Sequence, residues 1–125
     1  MLDGLMINNF LDTYMFEIRT YHISVDHITD YKVWAKKYAV PYLKEKLFVV
    51  GFWVDSEHSP EVLGGVLDPL GSSNVTYILR WKDLEQRNNK MDKIFSSPEW
   101  QEISSHLQGG VDIYLRREFR FVDAL

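Results

Sequence analysis

The chain has 125 residues, of which 46% are hydrophobic and 26% are charged, and its formal net charge is -4. This composition fits one globular domain, and the acidic balance gives no electrostatic reason to bind nucleic acid or an anionic membrane. The absence of cysteine excludes disulfides, thiolate catalysis and thiolate metal ligands, and it is compatible with the cytoplasmic location that we expect.

The first 13 residues differ from the rest of the sequence. They include Asp3 and Asp12 but neither Lys nor Arg, whereas secretory signals begin with basic residues and mitochondrial presequences are rich in Arg. Apolar runs such as residues 47–50 are far shorter than the roughly 20 residues of a membrane helix. We therefore interpret residues 1–13 as an N-terminal arm and residues 14–125 as one domain.

The first predicted strand covers residues 14–23, where β-favouring Tyr, Phe, Ile and Thr occur with alternation. A strand turns successive side chains to opposite faces of its sheet. One face then carries Phe16, Ile18 and Thr20. The other face carries Glu17, Arg19 and Tyr21.

A helix is predicted next, because apolar and aromatic residues recur at steps of three and four from Ile28 to Tyr42. Trp34 borders this stripe. Pro41 has no backbone N–H to donate, so we expect the helix to kink or end near it.

Two strands and a long loop follow this helix. The second strand is predicted over residues 47–55, where strict alternation places Val49 and Trp53 on the face opposite Phe52. The third covers residues 74–81. Between them, residues 56–74 hold three glycines and two prolines, and long loops in compact domains are often functional or mobile.

The rest of the chain predicts two helices and a last strand. The first helix runs from about Asp83 to Phe95, and Ser97-Pro98-Glu99 is typical of the start of the second. The fourth strand is predicted at residues 113–122. The order β-α-β-β-α-α-β indicates a ferredoxin-like α+β fold: a four-stranded antiparallel sheet with helices on one face.

Several motifs, taken in order, resemble the NIPSNAP family. The E-x-R-x-Y strand of residues 17–21 and the S-P-E-W helix start of residues 97–100 are the most telling, with V-G-F-W at 50–53 and Y-I-L-R-W at 77–81 between them. The resemblance covers about residues 14–122. It implies the dimeric α+β barrel superfamily, in which two ferredoxin-like sheets pack together, and hence a homodimer.

The resemblance implies a fold with a ligand pocket, but it does not imply a particular substrate or reaction. Relatives in the superfamily include cofactor-free monooxygenases of aromatic polyketides, haem-degrading enzymes and small-molecule isomerases, and several have a pocket between sheet and helices. The NIPSNAP family itself has no general assigned reaction. We therefore expect a small aromatic or amphiphilic ligand, and leave open a cofactor-independent monooxygenase, an isomerase, or a non-enzymatic dimeric interaction or scaffold protein whose interior is filled.

The candidate ligand-binding residues combine one cation with aromatic side chains that could line such a pocket. They are Arg19, Tyr21, Trp34, Trp53, Tyr77, Trp81 and Trp100. If the reaction is an oxygenation, it would use the substrate's own electron-rich anion, stabilised by Arg19, with no cofactor.

Structural roles for the same residues stay open. Aromatic residues also build ordinary cores, and Glu17 and Arg19 could form ion pairs across strands. The partners available for such pairs are Arg80, Arg116, Glu118 and Arg120.

The sequence shows no catalytic motif. None of the four histidines forms an H-x-H or H-E-x-x-H pattern, and no glycine-rich phosphate loop is present. Haem binding would have to use His22 or His58 as the iron ligand. We therefore predict no metal site and no bound cofactor, and we assign no catalytic residue.

Overall fold

The structure, a computed structural model, describes residues 14–65 and 68–125. The interpretation of residues 1–13 as an arm lies outside the described residues. Within them the order of strands and longer helices is the predicted one, and the predicted α+β class is confirmed. None of the described helices is long and apolar enough to cross a membrane.

Four antiparallel strands form one sheet, with β1 in its interior. The strands are β1 (Met15–Ile23), β2 (Val49–Val54), β3 (Val75–Trp81) and β4 (Tyr114–Val122). Their spatial order is β2-β3-β1-β4, so β1 pairs with β3 on one side and with β4 on the other. The sheet of a single copy is open.

The helices pack against one face of this sheet. They are α1 (Ile28–Trp34), α2 (Val40–Lys46), α3 (Leu84–Phe95) and α4 (Pro98–Ser105). Short 3₁₀ turns at Val25–His27 and Gly110–Ile113 precede α1 and β4. The predicted start of α4 is confirmed, because the Ser97 hydroxyl accepts a hydrogen bond from the Trp100 N–H at 3.1 Å.

The first helical segment does not end at Pro41, which was one of the two outcomes expected there; the chain instead departs from regular α-helix just before it. A π-helical turn, Ala35–Ala39, joins α1 to α2, and the Val40 N–H bonds to the Ala35 carbonyl five residues earlier. Pro41 then lies in the first turn of α2, where a missing N–H costs little. The wider turn therefore lets the chain stay helical up to Lys46.

Strict alternation is wrong for β2, because the register with β3 shifts between Val49 and Gly51. Val49 and Phe52 both pack on the core under the helices, whereas Trp53 lies on the opposite face. The Trp53 indole covers Gly51: a Cβ at Gly51 would lie 2.3 Å from the ring.

The second half of the long loop is fastened to the end of β1. The Asn74 side chain bonds both the Ile23 N–H and the Ile23 carbonyl, each at 2.8 Å. Arg116 of β4 forms an ion pair with Asp68 and donates a hydrogen bond to Ser73. This loop therefore meets β1 and β4 at the end where β1 runs into α1.

Candidate ligand-binding site

A cavity of about 580 Å³ lies between the sheet and the helices, over the β1–β4 side. Helices α3 and α4 and Trp34 of α1 supply its upper wall, and β1 and β4 supply its floor. The cover here is incomplete, since Phe119 of β4 stays 40% exposed on the helix side. The apolar and aromatic lining comprises Tyr21, Trp34, Met91, Phe95, Trp100, Leu107, Val111, Tyr114 and Phe119.

A buried ionic cluster stands on the cavity floor. Glu17 has no exposed surface. Its Oε2 accepts hydrogen bonds from Arg19 Nη1 at 2.7 Å and Arg87 Nη2 at 2.9 Å. Its Oε1 accepts from Arg87 Nε at 3.1 Å and Trp81 Nε1 at 3.0 Å. Four donors therefore saturate one carboxylate that comes from the middle of the sheet.

The cluster carries a surplus positive charge, because one carboxylate faces two guanidinium groups. Burial raises the pKa of Glu17, but the hydrogen bond from Arg87 and the charge and hydrogen bond of Arg19 outweigh this and hold that pKa below its ordinary value. Burial lowers the pKa of Arg19, but the interactions with Tyr77, Tyr21 and Glu17 raise that pKa by more than burial lowers it. Arg19 therefore stays a cation. The floor of the cavity is therefore electropositive in a chain of net charge -4.

The Nη2 group of Arg19 is not used in hydrogen bonds to the described residues. Its Nε donates to the Tyr77 hydroxyl at 2.6 Å and the Tyr21 hydroxyl at 3.1 Å, and its Nη1 is taken by Glu17. The guanidinium carbon lies 3.7 Å from the centre of the Phe119 ring, a cation–π contact on the cavity side. Among the described residues, no group accepts a hydrogen bond from Arg19 Nη2.

The titratable groups of the cavity are poor bases. Glu17 is tied to four donors and its pKa is lowered. Burial raises the pKa of Tyr31, Tyr77 and Tyr114, so these phenols keep their protons. The floor of the cavity is therefore suited to holding an anion, and the carboxylate that also lines the cavity, Asp92, belongs to α3 in the helical wall.

The structure brings four of the seven sequence-predicted site residues together on the cavity wall. They are Arg19, Tyr21, Trp34 and Trp100. Tyr77 lies behind them, beside a void of about 20 Å³ that Tyr21 also lines. Trp81 is buried and holds Glu17 in place. Trp53 lies on the other face of the sheet and is 51% exposed.

Sequence reasoning did not single out Arg87 or Phe119. The signal for Arg87 is its position in α3, where it falls on the same helical stripe as Met91 and Ile94. A cation on an otherwise apolar stripe needs a buried partner, and Glu17 is that partner. The sequence signal for Phe119 is weaker. It consists only of the position of Phe119 in β4, where it pairs with Arg19 and so lies on the same face of the sheet.

The cross-strand partners considered for Glu17 and Arg19 lie on the opposite face of the sheet. Arg120 pairs with Ile18 and Arg80 pairs with Phe16 in the strand register. Arg80 lies over the Phe48 ring, 3.6 Å from its centre. Glu17 and Arg19 are therefore ion-paired, but with each other and with Arg87 of α3.

The histidines considered as ligands lie away from the cavity. His22 is buried, and its Nδ1 lies 3.1 Å from the Ser72 carbonyl, to which it can donate a hydrogen bond. His58 is exposed in the long loop. Across residues 14–65 and 68–125, no group of three or more His, Asp or Glu side chains is arranged to hold a metal ion.

No protein-family model matches the chain, and none of the curated proteins matches it. Solved structures do match. A NIPSNAP family protein from Agrobacterium tumefaciens has a TM-score of 0.68 at 16% identity over 90% of this chain and 86% of its own. An uncharacterised NIPSNAP-like domain protein from Burkholderia xenovorans has a TM-score of 0.66 at 15% identity over 91% and 87%. The chain has the NIPSNAP fold.

The NIPSNAP resemblance read from the sequence motifs is thereby confirmed at the level of structure. A putative antibiotic biosynthesis monooxygenase from Bacteroides thetaiotaomicron is also similar, with a TM-score of 0.51 at 13% identity over 92% of this chain and 90% of its own. Identities this low establish a shared fold and not a shared reaction. What the NIPSNAP-like cavity binds has to be argued from its own residues.

Proposed function

We propose that the protein binds a small aromatic molecule with an anionic group in the cavity between sheet and helices, with the anionic group on Arg19. The observation that carries this proposal is the unequal charge of the buried cluster. Glu17 can neutralise one of the two guanidinium groups, and Arg19 Nη2 has no protein acceptor among the described residues. An anionic ligand would supply both the missing charge and the missing acceptor.

The size and lining of the cavity support an aromatic ligand. A volume of about 580 Å³ lies within the usual range for small-molecule sites. Phe95 and Trp100 meet edge to face with ring centres 4.9 Å apart, and Phe119 forms the opposite wall beside Arg19. A scaffold protein without a ligand would be expected to fill this space with its own side chains.

Reactions suited to this site are those in which the ligand's own anion is the reactive species. Oxygenation without a cofactor is one, and isomerisation through an enolate is another. In the oxygenation a substrate CH2 group is oxidised to C=O: its carbanion forms a C–O bond with O2, the O–O bond and both C–H bonds break, one oxygen atom stays in the product and the other leaves as water with the two protons. A putative antibiotic biosynthesis monooxygenase has a similar fold, and this analogy, which does not assign a reaction, makes oxygenation the first reaction to assay.

Calorimetric titration with 1-naphthoate and the neutral 1-naphthamide tests the binding proposal. We expect the wild-type protein to bind 1-naphthoate more tightly by at least about tenfold, since hydrogen bonds to charged groups contribute about 1.5–3 kcal/mol. Arg19→Gln should abolish this preference while leaving Glu17 paired with Arg87.

The matched control is Arg120→Gln, which removes a cation from the same sheet on its other face. It should bind both naphthalenes as the wild-type protein does. Equal affinity of the wild-type protein for the two naphthalenes would contradict the proposal, and circular dichroism checks that each variant is folded.

We further propose that a second copy of the chain covers the face of the sheet opposite the helices. Phe48, Val50 and Trp53 are each about half exposed there, at 52%, 49% and 51%. Monomeric proteins rarely expose a large contiguous apolar patch. The same face carries Glu118 beside Arg120, so charges of both signs are available for a self-complementary contact.

A further inference from the structure

Building on the proposed function, we infer that the Tyr21 hydroxyl donates a second hydrogen bond to the ligand, so that the cavity selects an aromatic molecule whose deprotonated oxygen accepts from both Tyr21 and Arg19. Phenolates, enolates and carboxylates have this chemistry. The inference rests on where the hydroxyl protons of two tyrosines can go.

Three polar atoms meet at the back of the cavity. The Tyr21 and Tyr77 hydroxyl oxygens lie 2.5 Å apart. Arg19 Nε lies 3.1 Å from the first and 2.6 Å from the second. Arg19 Nε can only donate, so both hydroxyls accept from it, and one hydroxyl must donate to the other.

Contact with the cavity decides which of the two hydroxyls donates, since both tyrosines are buried, at 6% and 2% exposed, but only Tyr21 is among the residues that line the cavity. Tyr77 is 2% exposed, and its hydroxyl has no described partner other than Arg19 and Tyr21. If Tyr21 donated to Tyr77, the Tyr77 proton would be buried without an acceptor, which costs about 1–3 kcal/mol. If Tyr77 donates, the free proton belongs to Tyr21, which lines the cavity. The second arrangement therefore leaves no buried proton unsatisfied.

The protonation states fit this direction. Burial, together with the neighbouring Tyr21, raises the pKa of Tyr77, so that Tyr77 keeps the proton it donates. The cavity then presents two donors, Arg19 Nη2 and the Tyr21 hydroxyl, beside a Glu17 that is already saturated by four hydrogen bonds. A deprotonated ligand oxygen at this place would be bonded twice, whereas the acceptors that line the cavity, Asp92, Ser96 and Ser104, belong to α3, α4 and the turn between them.

The ionisation of 4-nitrophenol in the cavity tests this inference, because its anion absorbs visible light. We expect the wild-type protein to bind the anion preferentially and so to lower the pKa of the bound probe below its value in water. Tyr21→Phe should reverse this shift by about one pH unit, since a tenfold change in affinity for one protonation state corresponds to one unit. Tyr77→Phe should reverse less than half as much, because Tyr21 keeps its proton for the ligand.

Two controls separate a role in hydrogen bonding from a role in packing. Nitrobenzene has the ring but no phenol oxygen, so all variants should bind it equally. Arg19→Gln should remove most of the shift and reports on the proposed function itself.

The possible results distinguish the two proposals. A wild-type protein that leaves the pKa of 4-nitrophenol unchanged overturns the proposed function and this inference together. A shift that Arg19→Gln removes and Tyr21→Phe leaves intact overturns this inference alone. Equal losses in Tyr21→Phe and Tyr77→Phe also overturn it, because the direction of donation would then be wrong.

Discussion

The two faces of strand β1 reverse the usual distribution of polar and apolar side chains. An antiparallel sheet covered on one side commonly turns apolar residues toward its helices and polar residues toward water. Here Glu17 and Arg19 point toward the helices and are 0% and 5% exposed, whereas Phe16 and Ile18 lie on the uncovered face. Each face therefore has to satisfy side chains that do not suit its surroundings.

The polar side chains on the helix-covered face find their partners within the chain. Glu17 draws donors from β1, from β3 and from α3, so that a carboxylate buried under the helices has no unused oxygen. A buried ion pair is seldom more stable than well-packed apolar residues of the same volume. Its presence beside an open cavity is therefore an argument for the proposed ligand binding.

Among the described residues, 14–65 and 68–125, the uncovered face has no such internal partners for its apolar side chains. Its apolar side chains stay partly in water, and Arg80 covers only the Phe48 and Tyr14 rings. In the proposals made above, a small ligand completes the first face and a second copy of the chain completes the other. Three experiments test this difference.

The largest expected effect comes from removing the charge of Glu17. Glu17→Gln leaves the buried Arg19 and the partly buried Arg87 without a counter-charge, and we expect the free energy of unfolding to fall by about 3–5 kcal/mol. Glu118→Gln makes the same chemical change on the uncovered face of the neighbouring strand and should leave stability within about 0.5 kcal/mol. Urea denaturation measures both, and similar losses would mean that the two faces do not differ.

A somewhat smaller effect is expected from neighbouring apolar residues of β3. Leu79 is buried under the helices, and Leu79→Ala should cost about 2–5 kcal/mol at any protein concentration. Ile78 lies on the uncovered face, so Ile78→Ala should have little effect on a dilute monomer but should weaken self-association. Sedimentation velocity over a range of concentrations measures the association. A wild-type protein that stays monomeric at high concentration would refute the proposed second copy.

The sequence predicted the framework of this comparison because period-2 alternation is strong in β1. It separated Glu17, Arg19 and Tyr21 from Phe16, Ile18 and Thr20, and that separation holds in the structure. It could not determine which face the helices cover, since both groups are plausible inside a domain. That choice depends on contacts with Arg87 and Trp81, which are distant in sequence.

The same reasoning failed where local geometry departs from regularity. One extra residue in β2 moved Val49 to the face of Phe52, and hydrophobic patterns do not reveal such a bulge when both faces are apolar. The π turn before Pro41 was equally hidden, because a proline signals a disturbance but not how the chain absorbs it. Trp53 was grouped with the site for its residue type, and only the register places it on the far side of the sheet.

The smallest effect is expected from acid, and it separates the charge of Glu17 from its shape. The pKa of Glu17 is lowered in the folded state relative to its ordinary value of 4.5. The charged group therefore stabilises the fold above about pH 4.5, and this contribution is lost as the pH falls through the lower, folded-state pKa. Protonated Glu17 resembles Gln, so the stability difference between the wild-type protein and Glu17→Gln should shrink by at most about 1.4 kcal/mol for each pH unit between about pH 4.5 and the lower, folded-state pKa. Urea denaturation from pH 7 to pH 3 measures the difference. Glu118→Gln is the control, because its stability difference from the wild-type protein should not change with pH.

A stability difference between the wild-type protein and Glu17→Gln that stays constant or grows in acid would mean that the carboxylate acts through its shape and hydrogen bonds. The surplus positive charge under the helices would then not be what the cavity offers a ligand.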